Sequence, residues 1–271
     1  MQSLATSLRV KGRTIGFVPT MGFLHEGHLS LMRRARLECD TVVVSIFVNP
    51  TQFGPGEDFD RYPRDEEGDR HGCQSAGVDI LFMPTVPEMY PDKPTVFVTV
   101  EGISGILEGR VRPGHFRGVA TVVAKLFHLV KPHVAYFGQK DYQQCAVIRR
   151  MTEELNLDVK IVALPTVREQ DGLAMSSRNS YLNADERRAA AAVHRALSAA
   201  EHLALAGVKE CEKLRNKMRA VFAEEKTITI DYIEIADSES LESLETVRKK
   251  AVILVAVRLG KTRLIDNLVL D

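Results

Sequence analysis

Residues 14–48 read TIGFVPTMGFLHEGHLSLMRRARLECDTVVVSIFV, a strand, a turn, a helix and a second strand in one run. Thr14–Val18 (TIGFV) is apolar without interruption, which predicts a strand buried on both faces. Leu29–Leu37 places Leu31, Met32 and Ala35 at helical spacing, with arginines between them. Thr41–Val48 (TVVVSIFV) is the most β-branched stretch of the chain and has no polar alternation. Two buried strands joined through a helix make a βαβ unit, and its strands run parallel.

The same texture continues outward. Asp79–Met83, Thr95–Val100, His133–Phe137 and Leu157–Leu164 read as further strands, with helices over Val119–Val130 and Tyr142–Leu155. The fold class is therefore α/β, a parallel sheet covered on both faces, with ligands expected beyond the carboxyl ends of its strands. Asp171-Gly172 is a type I′ hairpin signal between Thr166–Arg168 and Leu173–Met175. After Asn183 the pattern changes. Ala184–Ala206 reads as one Ala-rich helix and Lys209–Glu225 as another. Thr227–Ala236, Ala251–Leu259 and Arg263–Leu270 follow as antiparallel strands. A boundary is expected near residues 165–180, dividing 1–167 from a smaller α+β domain over 168–271.

Composition excludes several classes. With 271 residues and 45% hydrophobic content, the chain has material for one large and one small core. Lys+Arg and Asp+Glu both number 36, so no basic excess points to nucleic acid, and an anion site must be built from a few placed donors. Cys39, Cys73, Cys145 and Cys211 are scattered, which fits a reducing, cytoplasmic setting better than a disulfide framework or a zinc ribbon. No apolar run approaches the roughly 20 residues of a spanning helix, so no membrane partner is expected. The basic opening MQSLATSLRVKGR reads as a short surface helix rather than a transit peptide.

Four constellations carry chemistry. Pro19-Thr20-Met21-Gly22 and His25-Glu26-Gly27-His28 lie between the first strand and the first long helix. A helix N-terminus attracts phosphate through unpaired N–H groups, and Gly22 and Gly27 are expected to let a ligand approach the backbone. Two histidines three apart add imidazole donors, kept neutral by the positive helix end, against the plainer alternative that a histidine near a helix start is a cap or a core residue. The spacing rules out the H-E-x-x-H zinc arrangement, which needs four. Asn49-Pro50-Thr51-Gln52-Phe53-Gly54 follows the strongest strand, and Gln52 there suits an uncharged handle for a substrate hydroxyl or carboxylate, although N-P and F-G also make ordinary turns. Phe137-Gly138-Gln139-Lys140-Asp141-Tyr142-Gln143-Gln144 follows another strand. Lys140 suits a phosphate, Asp141 a ribose hydroxyl or metal, and Gln144 a substrate; the plainer alternative has Asp141 capping a helix with Gln143 and Gln144 on its surface. Met175-Ser176-Ser177-Arg178-Asn179 offers hydroxyls and a guanidinium fork. Three of the four sit at strand ends on one edge of one sheet. No Walker A and no G-x-G-x-x-G occurs, so nucleotidyl transfer at an α-phosphate fits better than a P-loop kinase or a dehydrogenase.

PTMGFLHEGH, VNPTQFG, LEG…RPGHFRGV, YFGQKDYQQ and MSSRN, in this order, resemble the motifs of HIGH-type nucleotidyltransferases and, within them, of the pantothenate synthetase family. The resemblance runs by motif from about Gly16 to Asn183, more loosely to the end. It implies a Rossmann-like N-terminal domain, a C-terminal domain able to act as a lid, and a homodimer. Only eighteen residues precede Pro19, so an opening strand usual in that family is expected to be shortened or missing. The implied reaction joins pantoate to β-alanine at the expense of ATP, through pantoyl adenylate. By motif, Met21, Gly22, Phe23, Leu24, His25, Glu26, Gly27 and His28 line the ATP site, with Gly138, Gln139, Lys140, Asp141, Val167, Met175, Ser176, Ser177 and Arg178 completing it. His28, Lys140 and Arg178 take the catalytic roles, Gln52 and Gln144 hold pantoate, and Asp69 is an outer contact for Mg²⁺ bound mainly to the phosphates. The rivals are another nucleotidyltransferase with a different acceptor, which would call for an extra basic cluster near Gln52 and Gln144, and a non-catalytic nucleotide-binding regulator.

Overall fold

The computed structural model describes residues 1–270. The chain divides into two compact units, Met1–Gln139 with Gln143–Pro165, and Lys140–Tyr142 with Thr166–Asp271.

The first unit is built on a five-stranded parallel sheet of order β3-β2-β1-β4-β5. Its strands are β1 (Ile15–Thr20), β2 (Thr41–Ile46), β3 (Ile80–Phe82), β4 (Val134–Gly138) and β5 (Lys160–Leu164). β1 pairs with β2 from Ile15↔Thr41 to Thr20↔Ile46, and with β4 through Gly16↔Val134. Ile15, Phe17, Val18, Val42, Val43 and Val44 are fully buried, as continuous apolar strands require when helices cover both faces. Helices α1 (Gln2–Val10), α2 (Glu26–Glu38), α3 (Glu66–Ser75), α4 (Val86–Met89), α5 (Glu108–Val111), α6 (His115–Val130) and α7 (Tyr142–Glu154) surround it. Leu31, Met32 and Ala35 form the buried stripe of α2, packed with Val18, Val42, Val44 and Tyr136. Gly16 permits this close approach, because a Cβ there would come within 2.9 Å of Cys39 Sγ and 3.3 Å of Ala35. α1 is a surface helix with only Ala5 buried.

The second unit combines α8 (Ala184–Ala190), α9 (Ala192–Leu205) and α10 (Cys211–Ala223) with an antiparallel sheet of order β6-β7-β8. The strands are β6 (Ile228–Asp237), β7 (Ala251–Leu259) and β8 (Thr262–Leu270). Central β7 is buried from Ala251 to Val257, against Leu197, Leu214 and Met218 of the helices.

Three expectations are corrected. Thr95–Val100 forms no strand: the Val98 N–H donates to Thr121 Oγ1 at 2.9 Å, and Phe97 lies under the Arg117 guanidinium at 3.7 Å. Phe97 and Val98 face α6 while Thr95, Val96 and Thr99 stay exposed, and strand propensity measures fit to a half-buried surface as much as ladder pairing. The Ala184–Ala206 helix breaks at Ala191, whose ψ of −21° is a 3₁₀ value, and alanine carries no side-chain signal for such tightening. The Asp171-Gly172 hairpin is not type I′. Only Gly172 has positive φ (+90°), and a three-residue loop closes with Gly172 N–H on the Glu169 carbonyl (2.9 Å). A type I′ turn needs positive φ at both central residues; here Asp171 stays on the ordinary side and its carboxylate accepts from Leu173 N–H at 3.2 Å.

Candidate active site

β1 ends at Thr20, whose hydroxyl donates to the Ser45 carbonyl of β2 (2.9 Å) and accepts from Gly22 N–H (3.2 Å). Gly22 (φ +81°) and Phe23 (φ +52°) then turn the chain sharply into α2. The turn is gripped by Asp69 of α3, 3% exposed, which accepts from Phe23 N–H at 2.9 Å and Leu24 N–H at 2.6 Å. Burial pushes the Asp69 carboxyl up, more than those amides pull it down. A Cβ on Gly22 would lie 2.8 Å from Asp69 Oδ2 and 2.9 Å from Ile46, and one on Gly27 would lie 2.9 Å from the His25 ring. Both glycines thus make room for the protein's own side chains, a different reason from the ligand approach expected of them.

α2 starts at Glu26, three residues before the expected start at Leu29, because the two histidines cap it. His25 is the N-cap: its Nδ1 accepts from Gly27 N–H at 3.2 Å, while His28 Nδ1 accepts from His25 N–H at 3.3 Å. This is a capping box made of imidazoles, their ring centroids 4.1 Å apart. With each Nδ1 used as an acceptor, a neutral ring carries its proton on Nε2, so the hydrogen-bond pattern assigns both rings as Nε2–H donors.

The turn after β2 is a short 3₁₀ segment, Pro50–Gln52, capped by Asn49. Asn49 Oδ1 accepts from Thr51 N–H (3.3 Å), the Thr51 hydroxyl (2.9 Å) and the Tyr90 hydroxyl (3.0 Å). Asn49 Nδ2 donates to Gln52 Oε1 at 3.1 Å and to the Gly118 carbonyl at 3.2 Å. Gln52 is 8% exposed, and its Nε2 rests on Met21 Sδ at 3.0 Å, which brings the first two constellations together. Gly118 of α6 is required here, since a Cβ would overlap the Thr51 carbonyl.

The RPGHFRGV motif, given no individual role from sequence, supplies the group that fixes the Gln52 backbone. His115, at the start of α6, places Nδ1 2.9 Å from the Gln52 carbonyl and Nε2 3.1 Å from Arg112 Nη1. The carbonyl can only accept and the guanidinium only donate, so the ring is neutral with Nδ1–H. Burial, helped by Arg112, pushes its pKa down to about 4. Arg112 forks onto Glu57 at 2.8 and 2.6 Å. Burial alone would raise Glu57, but the Arg112 hydrogen bonds and charge hold it below the usual carboxylate range. The available signal was the density of Arg and His in Arg110-Val111-Arg112-Pro113-Gly114-His115 beside an apolar helix.

β4 ends at Gly138, where a Cβ would meet nothing within 4 Å. Gln143, the first residue of α7 within this unit, is 3% exposed, not on the helix surface. Its Nε2 donates to the carbonyls of Ile103 (2.6 Å) and Ile106 (2.9 Å), and its Oε1 accepts from Glu108 N–H (3.0 Å). Gln144 beside it is half-buried.

In the second unit, Lys140 lies 3.7 Å from Asp141 Oδ1, and its carbonyl accepts from Asn267 Nδ2 at 2.8 Å. The hairpin bonds Met175 N–H to the Val167 carbonyl at 3.0 Å. Ser176 then caps the 3₁₀ turn Ser177–Tyr181, its Oγ accepting from Arg178 N–H at 3.3 Å. Asn179 Nδ2 ties the turn back to Glu169 (3.0 Å) and the Ala174 carbonyl (3.1 Å). Val167, Met175, Ser176, Ser177 and Arg178 therefore occupy one hairpin and its exit turn.

Among the described residues no group of three or more His, Cys, Asp or Glu side chains could hold a metal ion. Asp69, expected as an outer metal contact, has both oxygens on backbone amides, which makes it an anchor of the Gly22–Leu24 turn.

Residues 1–269 match the family model described as pantoate-beta-alanine ligase. A pantothenate synthetase of Thermotoga neapolitana is 55% identical over 270 residues, covering 100% of this chain and 96% of the relative. The crystal structure of pantothenate synthetase from Thermus thermophilus superposes with a TM-score of 0.93 at 50% identity, covering 97% of this chain and 96% of that one. A pantoate-beta-alanine ligase from Francisella tularensis, crystallised with β-γ ATP and β-alanine, gives a TM-score of 0.81 at 36% identity over 99% of this chain and 94% of that one. The chain belongs to the pantoate-beta-alanine ligase family.

Proposed function

We propose that this enzyme condenses pantoate with β-alanine in two steps at the turns just described, with the two-histidine cap of α2 receiving the ATP phosphates. Family membership supports the overall reaction, and the β-γ ATP and β-alanine named for the Francisella relative support the substrates. The observation that carries the site is the imidazole capping box: two Nε2–H donors at the positive end of a helix, at the carboxyl end of the central strand.

In the first step a pantoate carboxylate oxygen attacks the α-phosphorus. The new O–P bond forms as the bond to the bridging oxygen breaks, and pyrophosphate leaves with that electron pair. The carboxylate is already ionised at neutral pH, so the step needs positioning and charge stabilisation rather than a base. His28, Lys140 and Arg178 supply the donors, with Met21–His28, Gly138–Asp141, Val167 and Met175–Ser177 around the nucleotide. Gln52 and Gln144 hold pantoate. In the second step the β-alanine nitrogen attacks the acyl carbon, AMP departs with the C–O electron pair, and the nitrogen sheds its proton. Mg²⁺ would enter as part of the ATP substrate and would neutralise phosphate charge there. The same reading takes the protein as a cytoplasmic homodimer; its four cysteines are buried and form no disulfide, which suits a reducing compartment. No helix among the described residues is long and apolar enough to cross a membrane.

The test follows pyrophosphate and AMP separately. Pantoate with ATP and Mg²⁺ should release pyrophosphate, and AMP and pantothenate should appear only when β-alanine is added. Release indifferent to pantoate would instead favour a different acceptor.

A further inference from the structure

β8 reads Thr262-Arg263-Leu264-Ile265-Asp266-Asn267-Leu268-Val269-Leu270, and two polar residues stand in the middle of its apolar half. Asp266 and Asn267 are each 3% exposed, and polar groups so buried need specific partners. Asp266 accepts a guanidinium fork from Arg168 at 2.6 and 3.1 Å, and its Oδ1 also accepts from Asn267 N–H at 2.8 Å. Arg168 sits on the hairpin that leads into Ser176–Arg178, and its Nη1 donates to the Gly172 carbonyl as well (3.1 Å). Asn267 Nδ2 donates to the Lys140 carbonyl at 2.8 Å. A second bond holds the same short segment, from the Tyr142 hydroxyl to the Ser238 carbonyl at 2.9 Å. These bonds explain why Lys140–Tyr142 belongs to the second unit although Gln139 and Gln143, its neighbours in sequence, belong to the first.

We propose that Asp266 and Asn267 are positioning residues for the transfer reaction, holding Lys140 and the Ser176–Arg178 turn in one frame. Asp266 acts through Arg168 and the hairpin, Asn267 through the Lys140 carbonyl. The two cations assigned to the phosphates are 38 positions apart in sequence, and one dipeptide of one strand fixes both segments that carry them. Charge stabilisation of a transferring phosphoryl group depends on such preorganisation, and a misplacement of about 1 Å can lower a rate up to ~10²-fold. The inference rests on the roles proposed above for Lys140 and Arg178.

The test is a double-mutant cycle in the full chain, read as pantoate-dependent pyrophosphate release. Asn267→Ala should lower kcat about tenfold with the pantoate KM unchanged. When Lys140 is already Ala, the same replacement should cost nothing further, because Asn267 acts through the lysine. An equal tenfold loss in both backgrounds overturns the proposal, since a merely structural residue would behave that way. Wild-type turnover in Lys140→Ala alone overturns the role of the lysine, and the clip loses its catalytic consequence with it. Should Asn267→Ala fail to fold, Tyr142→Phe removes a single hydroxyl from the same segment. It should cost about threefold in kcat, again only when Lys140 is present, and an unchanged kcat overturns the proposal.

Discussion

The turns after β1 and after β4 end the same kind of parallel strand but are held by opposite means. The first is mostly self-contained. Thr20 bonds to Gly22, His25 to Gly27 and His28 to His25, all within three residues, while Asp69, Ser45 and Gln52 reach it from farther along the chain. The second is held from far away, Lys140 by a residue 127 positions later and Tyr142 by one 96 positions later. A donor array built from local bonds keeps its shape wherever its helix goes. One clipped to a distant strand inherits that strand's placement.

The sharpest way to break this comparison is to separate capping from catalysis at His28. Glutamine at N3 preserves a capping box, so His28→Gln should leave thermal stability nearly unchanged. It should still lower pantoate-dependent adenylation about 10²–10³-fold, the loss expected for one preorganised donor. Near-wild-type turnover would reduce His28 to a cap. Lys140→Ala should match that loss in rate, although the turn that carries it is built differently.

Asp69 is the remote residue that grips the backbone amides of the local turn. Asp69→Ala leaves the part-buried Phe23 and Leu24 amides without this acceptor, at a cost of about 3 kcal/mol in urea unfolding. A loss under about 1 kcal/mol would mean that the histidine cap and Gly22 hold the turn unaided.

Legibility in the sequence follows the same division. The parallel sheet was readable because buried strands and helix stripes are local patterns, and β7 runs over Ala251–Leu259 as its apolar run indicated. The two histidines were readable as a pair because their spacing and their helix start are local. What holds Gln52 was not, since Asn49 does so partly through Gly118 and His115 reaches back 63 positions to the Gln52 carbonyl. Asp266 and Asn267 carry no local signal within the Arg263–Leu270 strand pattern, because their partners Arg168 and Lys140 lie about a hundred residues earlier. Thr95–Val100 misled for a related reason: its strand-like composition answers to α6, through Arg117 and Thr121, rather than to a neighbouring strand.

His115 gives the comparison a pH axis. Its folded pKa, about 4, lies below the ordinary 6.5, so the unfolded chain binds a proton that the folded chain refuses. Stability from this group is complete above pH 6.5 and is lost as pH falls toward 4, at about 1.4 kcal/mol per unit. His133 and His194, also pushed down by burial, add to the slope in the same direction. Between pH 7 and 5 the protein should lose about 2 kcal/mol more than His115→Gln does, measured by urea unfolding at both values. Parallel losses in the two proteins would remove His115 from the account.

The smallest effect is expected at Gln52, where position and chemistry separate most cleanly. Its Nε2 rests on the Met21 thioether, a weak acceptor that a carboxylate or hydroxyl oxygen displaces easily. Its Oε1 is fixed by Asn49, so the amide cannot rotate to offer the wrong end. Gln52→Ala should therefore raise the pantoate KM about tenfold, near 1.4 kcal/mol, while kcat at saturation stays within about threefold. Asn49→Ala keeps the handle but frees its rotation, and a smaller rise of about threefold in the same constant is expected. If instead kcat falls and the pantoate KM holds in both variants, Gln52 acts on the transferring phosphoryl group, and the turn after β2 joins the two others as part of the charge-stabilising array.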